Sequence, residues 1–226
     1  MVKEIDFTRQ KAPVEKTMDL LLANYGELVA YSGTEKTPFR VLIGTVLSSR
    51  TRDEKTSLAA GQLFEYYDTP SKLAKATEGH VRELIKPVGF YNVKAKRVIE
   101  LSKELLERFG GVVPDNMAEL VSLKGVGRKT ANCVLNYAFE KPGIAVDSHV
   151  AIISKRLGWT KQDKPESVEK DLEALLPKKY WIKVNNALVL HGQQVCISQS
   201  PQCQKCFLTK ECPYYENVYK VKKNVR

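Results

Sequence analysis

The chain of 226 residues is long enough for one domain or two small ones around a hydrophobic core. Its 36 Lys and Arg residues outnumber its 26 Asp and Glu residues, and the formal charge of +10 favours a polyanionic partner, although many basic proteins bind no particular anion. No stretch approaches the roughly 18 consecutive apolar residues of a membrane span, and residues 1–12 lack the apolar core of a secretory signal. We therefore expect an intracellular, cytoplasmic protein that does not cross a membrane.

The spacing of apolar residues is helical, with recurrences at intervals of three and four in most segments. Pro38 suits the first turn of a helix over 39–48, and Thr51 with Glu54 has the spacing of a capping box that opens the next helix. No clear alternating strand pattern occurs, so the predicted fold class is all-α. The further predicted helices cover residues 52–66, 70–77, 79–86, 92–109, 115–122, 128–140, 147–157, 165–176 and 182–195.

A short turn with two glycines separates two of these helices. The stretch LKGVGRKTAN places Gly125, Val126 and Gly127 between helical segments, which suits a helix-hairpin-helix turn. The glycines permit positive φ and close approach of another backbone. Their N–H groups, with the start of the next helix, form a site for a DNA phosphate. An ordinary helix–helix turn is the alternative.

Lys129 follows this turn and lies in the first turn of the next helix. The positive end of the helix dipole and the neighbouring Arg128 both disfavour an ammonium there. A lysine with a neutral amine can act as a nucleophile and form a Schiff base. The ordinary role of a lysine in a first turn is that of a solvated side chain, so its position alone does not establish catalysis.

A carboxylate follows beyond that helix, where the stretch KPGIAVDSHV leads through a Gly/Pro turn to Asp147. Asp147 is placed to cap the next helix, which is the default role of such an aspartate. A carboxylate beside an amine nucleophile can also take its proton and stabilise positive charge that develops on a deoxyribose. Asp147 and Lys129 therefore form a candidate catalytic pair.

Four of the five cysteines lie within residues 196–212, in the pattern C-x6-C-x2-C-x5-C. Disulfides are rare in the reducing interior of cells, so this group predicts a metal site with all-cysteine ligation. The spacing alone leaves zinc and an iron–sulfur cluster open. The ligand cysteines are Cys196, Cys203, Cys206 and Cys212.

These motifs resemble those of the endonuclease III family of helix-hairpin-helix DNA glycosylases. The stretch LKGVGRKTANCVLNYAF is similar to that family's hairpin and catalytic-lysine helix, and KPGIAVDSHV is similar to the loop with its catalytic aspartate. HGQQVCISQSPQCQKCFLTKEC has the cysteine spacing that holds a [4Fe–4S] cluster in that family. The resemblance continues through VLSSRTRDEKT and VGFYNVKAKRV and so covers nearly the whole chain.

The resemblance implies a helix-hairpin-helix glycosylase fold with two helical lobes and a DNA groove between them. A central helical barrel with the hairpin would span residues 30–141, while residues 1–29 and 142–226 would form the lobe with the [4Fe–4S] cluster near the C-terminus. The implied partner is double-stranded DNA with a damaged base or an abasic site, bound by a monomer.

The implied activity is that of a bifunctional glycosylase and abasic-site lyase. A damaged pyrimidine leaves the duplex, Lys129 attacks C1′ of its sugar, and Asp147 assists the amine. The base departs, a Schiff base remains, and elimination of the 3′ phosphate cleaves the strand.

The resemblance also implies which residues contact DNA. Arg50 and Phe90 match positions that insert into the duplex, where well-known members carry Gln and Leu, although Phe90 as a core aromatic is an alternative. Lys124 replaces a proline that is usual in the hairpin. The predicted DNA-binding residues are Arg50, Phe90, Gly125, Val126, Gly127 and Arg128.

Three other functions fit part of the pattern. A monofunctional G:T or G:U mismatch glycosylase shares the cysteine motif, but such relatives usually lack a lysine at the position of Lys129. A non-catalytic DNA-binding protein uses the charge and the hairpin but leaves the pair of Lys129 and Asp147 without a role. A zinc-binding structural protein uses the cysteines alone.

Overall fold

A computed structural model describes residues 11–26 and 37–221, and these residues form α-helices and no β-strand. The all-α prediction is therefore confirmed for this part of the chain. Most helix ends agree with prediction to within a few residues, but α4 and α5 are shorter than the predicted segments. The helices are α1 (Val14–Tyr25), α2 (Pro38–Ser48), α3 (Asp53–Tyr66), α4 (Pro70–Ala74), α5 (Glu78–Leu84), α6 (Tyr91–Phe109), α7 (Met117–Ser122), α8 (Arg128–Phe139), α9 (Ser148–Arg156), α10 (Pro165–Leu175) and α11 (Trp181–Gln194).

The predicted capping box of Thr51 and Glu54 is wrong. Arg52 is the N-cap residue of α3, and its side chain makes no capping hydrogen bond. Thr51 Oγ1 instead accepts hydrogen bonds from Lys94 Nζ at 2.9 Å and from Gly89 N at 3.1 Å. The hydroxyl that the local spacing assigned to a helix cap therefore bonds to residues that are distant in sequence.

The described residues fall into two compact units. One lies within Ala30–Lys141, and the other lies within Met1–Val29 and Pro142–Arg226. The predicted boundary between residues 29 and 30 lies outside the described part of the chain. None of the described helices is long and apolar enough to span a bilayer.

The unit within Ala30–Lys141 is built around α2, which packs against α3, α6 and α8. Nearly every residue of α2 between Phe39 and Leu47 is buried. A helix that is apolar on all sides must be central, because it has no polar face to turn towards water. The buried α2 thereby holds the helix α8, which carries Lys129, in a fixed position. The C-terminal end of α2, which leads to Arg50, is fixed by the same packing.

The other unit packs α11 against α1 and α9. Its core includes Met18 and Leu21 of α1 and Val184 and Leu188 of α11. The segment before α1 is held by Trp159, whose Nε1–H donates to Ala12 O at 3.0 Å. Residues from both ends of the chain therefore share one hydrophobic core, and α11 leads from it directly into the segment of the ligand cysteines.

Candidate nucleic-acid interface and catalytic residues

The turn between α7 and α8 is anchored in the core by buried apolar residues, among them Val126 between the two glycines. Val126 is buried in the core, and its N–H donates to Leu123 O at 3.0 Å. Gly125 has a φ of +83°, and a Cβ atom at this position would lie 2.9 Å from Arg97 Nε. The positive φ at position 125 therefore favours glycine, and a larger residue would also displace the Arg97 side chain. Val126 anchors the turn instead of presenting its side chain to a ligand.

Gly127 does not use the positive φ that glycine permits. It is the N-cap residue of α8 with φ −88° and ψ 171°, an extended conformation that any residue adopts. No atom lies within 4 Å of a Cβ atom built at Gly127, so its surroundings are open. Among the described residues, the N–H groups of Gly125 and Gly127 donate no hydrogen bond. These exposed amides beside the start of α8 suit an anion.

Helix α6 supports the hairpin through hydrogen bonds to the end of α7 and to the residues that follow it. Lys124 N donates to Glu104 Oε2 at 3.0 Å, and Arg108 donates to Ser122 O at 3.1 Å and to Ser122 Oγ at 2.7 Å. A proline at position 124 has no N–H and cannot make the bond to Glu104. Lys124 therefore supplies a hydrogen bond to α6 that a proline at this position would lack, while its side chain remains exposed.

Lys129 is the second residue of α8 and is half-buried. The helix directly after it is buried from Ala131 to Asn136 and packs against α2. Lys129 therefore extends from a rigid helix end, next to the free amides of the hairpin. A nucleophile on such an element is held in a reproducible position.

Asp147 is the N-cap residue of α9, as predicted. Its Oδ1 accepts a hydrogen bond from Val150 N at 2.9 Å. The second carboxylate oxygen, Oδ2, has no hydrogen-bond donor among the described residues. One oxygen thus fixes the side chain, and the other is available to a ligand or to a proton.

Helix α11 supports the segment around Asp147. Asn185 Nδ2 donates to Ala145 O at 2.6 Å, which fixes the backbone just before Asp147. On the other side, His149 packs directly on Gly192, where a Cβ atom would lie 2.3 Å from His149 Nδ1. Only glycine fits at position 192, and His149 is used in packing.

Arg50 and Phe90, here called the paired tips, share an unusual backbone conformation. Their φ angles of 52° and 57° lie in the left-handed region, although neither residue is glycine. Phe90 is 62% exposed, which excludes its alternative interpretation as a core aromatic. The guanidinium carbon of Arg50 lies 5.8 Å from the centre of the Phe90 ring. Two exposed side chains therefore lie next to each other, each on a residue with a strained backbone conformation.

The ligand cysteines line a single cavity together with Arg156 and His191. Arg156 Nη1 donates to Cys196 Sγ at 3.1 Å, and Leu208 N donates to Cys206 Sγ at 3.4 Å. Among the described residues, no three His, Cys, Asp or Glu side chains converge closely enough to hold one metal ion.

The titration behaviour of this cavity follows from its burial. Burial raises the pKa values of the Cys203, Cys206 and Cys212 thiols to about 11. Burial also lowers the pKa of His191 to about 4, and the nearby charge of Arg156 acts in the same direction. The thiols are therefore protonated at neutral pH unless a metal displaces their protons.

Sequence reasoning missed Lys94, which is only 3% exposed. Its ammonium donates to Leu47 O and to Ser49 O, both at 2.7 Å, besides the bond to Thr51. Burial, together with the nearby charge of Arg97, lowers the pKa of Lys94 to about 8. A signal existed, because Lys94 stands four residues before the buried Val98 and so shares the apolar face of α6.

Comparison with known families identifies the chain's relatives. The family model described as HhH-GPD superfamily base excision DNA repair protein matches residues 43–178. Endonuclease III of Thermotoga maritima is 51% identical over 181 residues, which cover 80% of this chain and 85% of that protein. Endonuclease III of Escherichia coli is 37% identical over 181 residues, which cover 80% of this chain and 86% of that protein.

Solved structures give the same result. A trapped covalent intermediate of endonuclease III with DNA matches with a TM-score of 0.82 and 34% identity, covering 94% of this chain and 97% of that one. A thermostable thymine-DNA glycosylase matches with a TM-score of 0.78 over 89% of this chain and 96% of that one. Its identity of 24% shows a shared fold only.

Proposed function

The chain belongs to the endonuclease III family of base excision DNA repair proteins, and we propose that it removes oxidised pyrimidines from duplex DNA and then cleaves the abasic site through a Schiff base on Lys129. A complex of an endonuclease III with DNA, trapped as a covalent intermediate, is among its structural relatives. The proposal assigns the general activity of that family to named residues of this chain.

The position of Lys129 is the observation that carries the proposal. Lys129 is the second residue of α8 and directly follows the hairpin. The N–H groups of Gly125 and Gly127 in this hairpin donate no hydrogen bond among the described residues. A phosphate bound by these amides would hold the DNA backbone beside the amine. Placing a nucleophile next to a bound backbone is a large part of the catalytic task, because it replaces an encounter by an intramolecular step.

Lys129 and Asp147 would share the chemistry of base removal and strand cleavage. The Lys129 amine attacks C1′, the bond between C1′ and the base breaks, and the base leaves with that electron pair and gains a proton. Opening of the sugar gives the Schiff base, and loss of a proton from C2′ expels the 3′ phosphate. Asp147, with one carboxylate oxygen fixed by Val150 N, would accept the amine proton and stabilise positive charge on the sugar.

We assign the remaining DNA contacts to the hairpin and to the paired tips. Gly125, Gly127 and Arg128 would bind phosphate, while Val126 would support them from the core. Arg50 and Phe90 would fill the gap that the flipped base leaves, the arginine by hydrogen bonding and the phenylalanine by stacking. We expect the protein to act as a monomer on chromosomal DNA in the cytoplasm.

We infer that the ligand cysteines hold a [4Fe–4S] cluster. Each thiolate in such a cluster binds a different iron, and the four cysteines of this chain line one cavity. The N–H donors at Cys196 and Cys206 suit thiolate sulfur. The cluster would order the segment from Cys196 to Cys212. Protein purified without oxygen should contain about four irons and four sulfides per chain, and zinc in their place would contradict the inference.

Borohydride trapping tests the catalytic proposal. The protein is mixed with a duplex that holds one abasic site, and borohydride reduces any Schiff base to a stable covalent complex. We expect trapping by the wild type and by Lys124→Ala, which removes the other lysine of the hairpin, but not by Lys129→Ala. DNA binding and the absorbance of the cluster show that each variant is folded.

The outcome separates this proposal from the other functions. If the wild type binds the duplex but is not trapped, the lyase proposal is wrong, and a monofunctional mismatch glycosylase or a non-catalytic binding protein remains. Trapping by Lys129→Ala would place the nucleophile on another amine. The family relationship favours neither of these alternatives.

A further inference from the structure

Lys94 is a buried cation whose hydrogen-bonding capacity is filled entirely by the end of α2 and the residues directly after it. Its three acceptors are Leu47 O at 2.7 Å, Ser49 O at 2.7 Å and Thr51 Oγ1 at 2.9 Å. An ammonium has three N–H donors, so every donor has a partner. Burying a charge costs free energy, so an ammonium persists in the interior only where its donors are satisfied. The bonds of Lys94 therefore tie the end of α2 and the residues after it to α6.

The hydroxyl of Thr51 extends this arrangement to a second segment. Thr51 Oγ1 accepts from Lys94 Nζ and from Gly89 N at 3.1 Å, and it donates to Ser49 O at 3.3 Å. All three hydrogen-bonding positions of the hydroxyl are used. The backbones are also close, because a Cβ atom at Gly89 would lie 3.1 Å from Arg50 O. The segment after α2 and the segment before α6 are thus joined through one side chain.

Each of these segments carries one of the paired tips. Arg50 lies between Ser49 and Thr51, and Phe90 follows Gly89. Both tips have left-handed φ angles, a conformation that costs a non-glycine residue free energy and persists only where the surroundings impose it. The bonds of Lys94 and Thr51 are made by the residues on either side of Arg50 and by the residue before Phe90.

We propose that Lys94 is a positioning residue which, through Thr51, holds Arg50 and Phe90 side by side for insertion into the DNA duplex. This inference rests on the proposed function, in which the paired tips fill the gap left by a flipped base. A pair that is already arranged loses less conformational entropy when it enters the DNA. The ammonium itself does not touch the substrate.

Thr51 offers the sharper test, because its variants keep the buried charge. Thr51→Val has nearly the same shape but removes the bridging oxygen, whereas Thr51→Ser keeps it. Ser102→Ala removes another buried hydrogen bond of α6, from Ser102 Oγ to Val98 O, and is the control for simple destabilisation. Thermal unfolding of all three variants measures the loss of stability.

Two readouts report positioning. The first is fluorescence of 2-aminopurine placed opposite a tetrahydrofuran abasic analogue, which changes when side chains enter the gap. The second is the single-turnover rate of excision of thymine glycol from a duplex. We expect Thr51→Val to lose most of the fluorescence change and to slow excision by about 10- to 100-fold, while Thr51→Ser and Ser102→Ala stay within about threefold of the wild type.

A double variant tests whether Thr51 acts through the tips. In a Phe90→Ala background, adding Thr51→Val should slow excision by much less than it does in the wild type, because coupled residues are not additive. The inference would be overturned if Thr51→Val gave the fluorescence change and excision rate of the wild type. It would also be overturned if Thr51→Val and Ser102→Ala slowed excision equally, or if the effects of Thr51→Val and Phe90→Ala on excision were fully additive. Failure of the wild type to excise or to be trapped would instead refute the proposed function, and the fluorescence assay would still test the positioning.

Discussion

The hairpin and the paired tips belong to the same unit but are held in different ways. The hairpin conformation comes from its own residues: Gly125 supplies the positive φ and Val126 anchors the turn in the core. The paired tips have no such local support, since Arg50 and Phe90 adopt left-handed conformations that only glycine adopts easily. Their support is Lys94, whose bond to Leu47 spans 47 positions in the chain. One surface is fixed by local sequence, and the other is fixed by tertiary structure.

The largest effect is expected when the tertiary support is removed. Lys94→Met keeps the apolar stem but deprives Leu47 O and Ser49 O of their charged donor. We expect the free energy of unfolding to fall by about 2–3 kcal/mol, because hydrogen bonds to a charged group are lost in a buried position. Urea unfolding measures this change.

The control for Lys94→Met lies on the same helix. Lys96 has a side chain that is 67% exposed, and Lys96→Met should change the free energy of unfolding by no more than about 0.5 kcal/mol. Equal losses in the two variants, or none in Lys94→Met, would show that the tips do not depend on the buried ammonium.

The second effect concerns the local support of the hairpin. Gly125→Ala forces an alanine into a φ of +83° and pushes against Arg97. We expect a loss of about 1–2 kcal/mol in the free energy of unfolding together with weaker binding to abasic-site DNA. Gly110→Ala introduces similar strain at a φ of +61°, with no atom near the new Cβ, and lies outside the hairpin.

This pair separates strain from DNA binding. Fluorescence anisotropy with a labelled duplex at one fixed salt concentration measures affinity. Both variants should lose similar stability, but only Gly125→Ala should bind more weakly. If Gly110→Ala weakens binding equally, the hairpin is not the binding element.

The contrast between the two regions also explains what the sequence predicts. Long apolar periodicity predicted α6 and α8 well, and the spacing of Gly125 and Val126 indicated the hairpin, because these features depend on neighbouring residues. The ends of α4 and α5 were less accurate, since tertiary contacts decide where such short helices stop. The capping box at Thr51 failed for a related reason: its hydroxyl is bound by Lys94 and Gly89, which no local pattern reveals.

The candidate catalytic residues show the same division. Asp147 was predicted as an N-cap from its place after a Gly/Pro turn, and its bond to Val150 N confirms that role. The spacing left the φ of Gly127 open, because glycine is compatible with both signs of φ and the sequence does not distinguish them. Lys94 was missed because lysine is usually exposed, and only its place on the apolar face of α6 indicated burial.

At the paired tips, we expect a substitution that raises the stability of the protein and lowers its activity. Phe90→Gly removes an exposed side chain and relieves the strain of a φ of 57°. We expect the free energy of unfolding to rise by about 0.5–1 kcal/mol, while excision of a damaged base slows. Glu140→Gly relieves the same kind of strain at a φ of 52°, at the end of α8. It should gain similar stability and keep its excision rate, and an unchanged rate in Phe90→Gly would contradict the role of that tip.

The smallest effect is expected at Gly127, where the hairpin is open. Gly127→Ser supplies a side-chain oxygen that can cap the N–H of Lys129 or Thr130, and this should raise the free energy of unfolding by about 0.3 kcal/mol. The same oxygen would place negative partial charge at the start of α8, beside the Gly127 amide that we assign to phosphate, so affinity for abasic-site DNA should fall by about threefold, the equivalent of one weak hydrogen bond. Gly127→Ala adds the same Cβ into open space without an acceptor and should bind DNA more tightly than the serine variant. Equal weakening by alanine and serine, measured by anisotropy, would mean that Gly127 provides room for the DNA backbone and not a free amide.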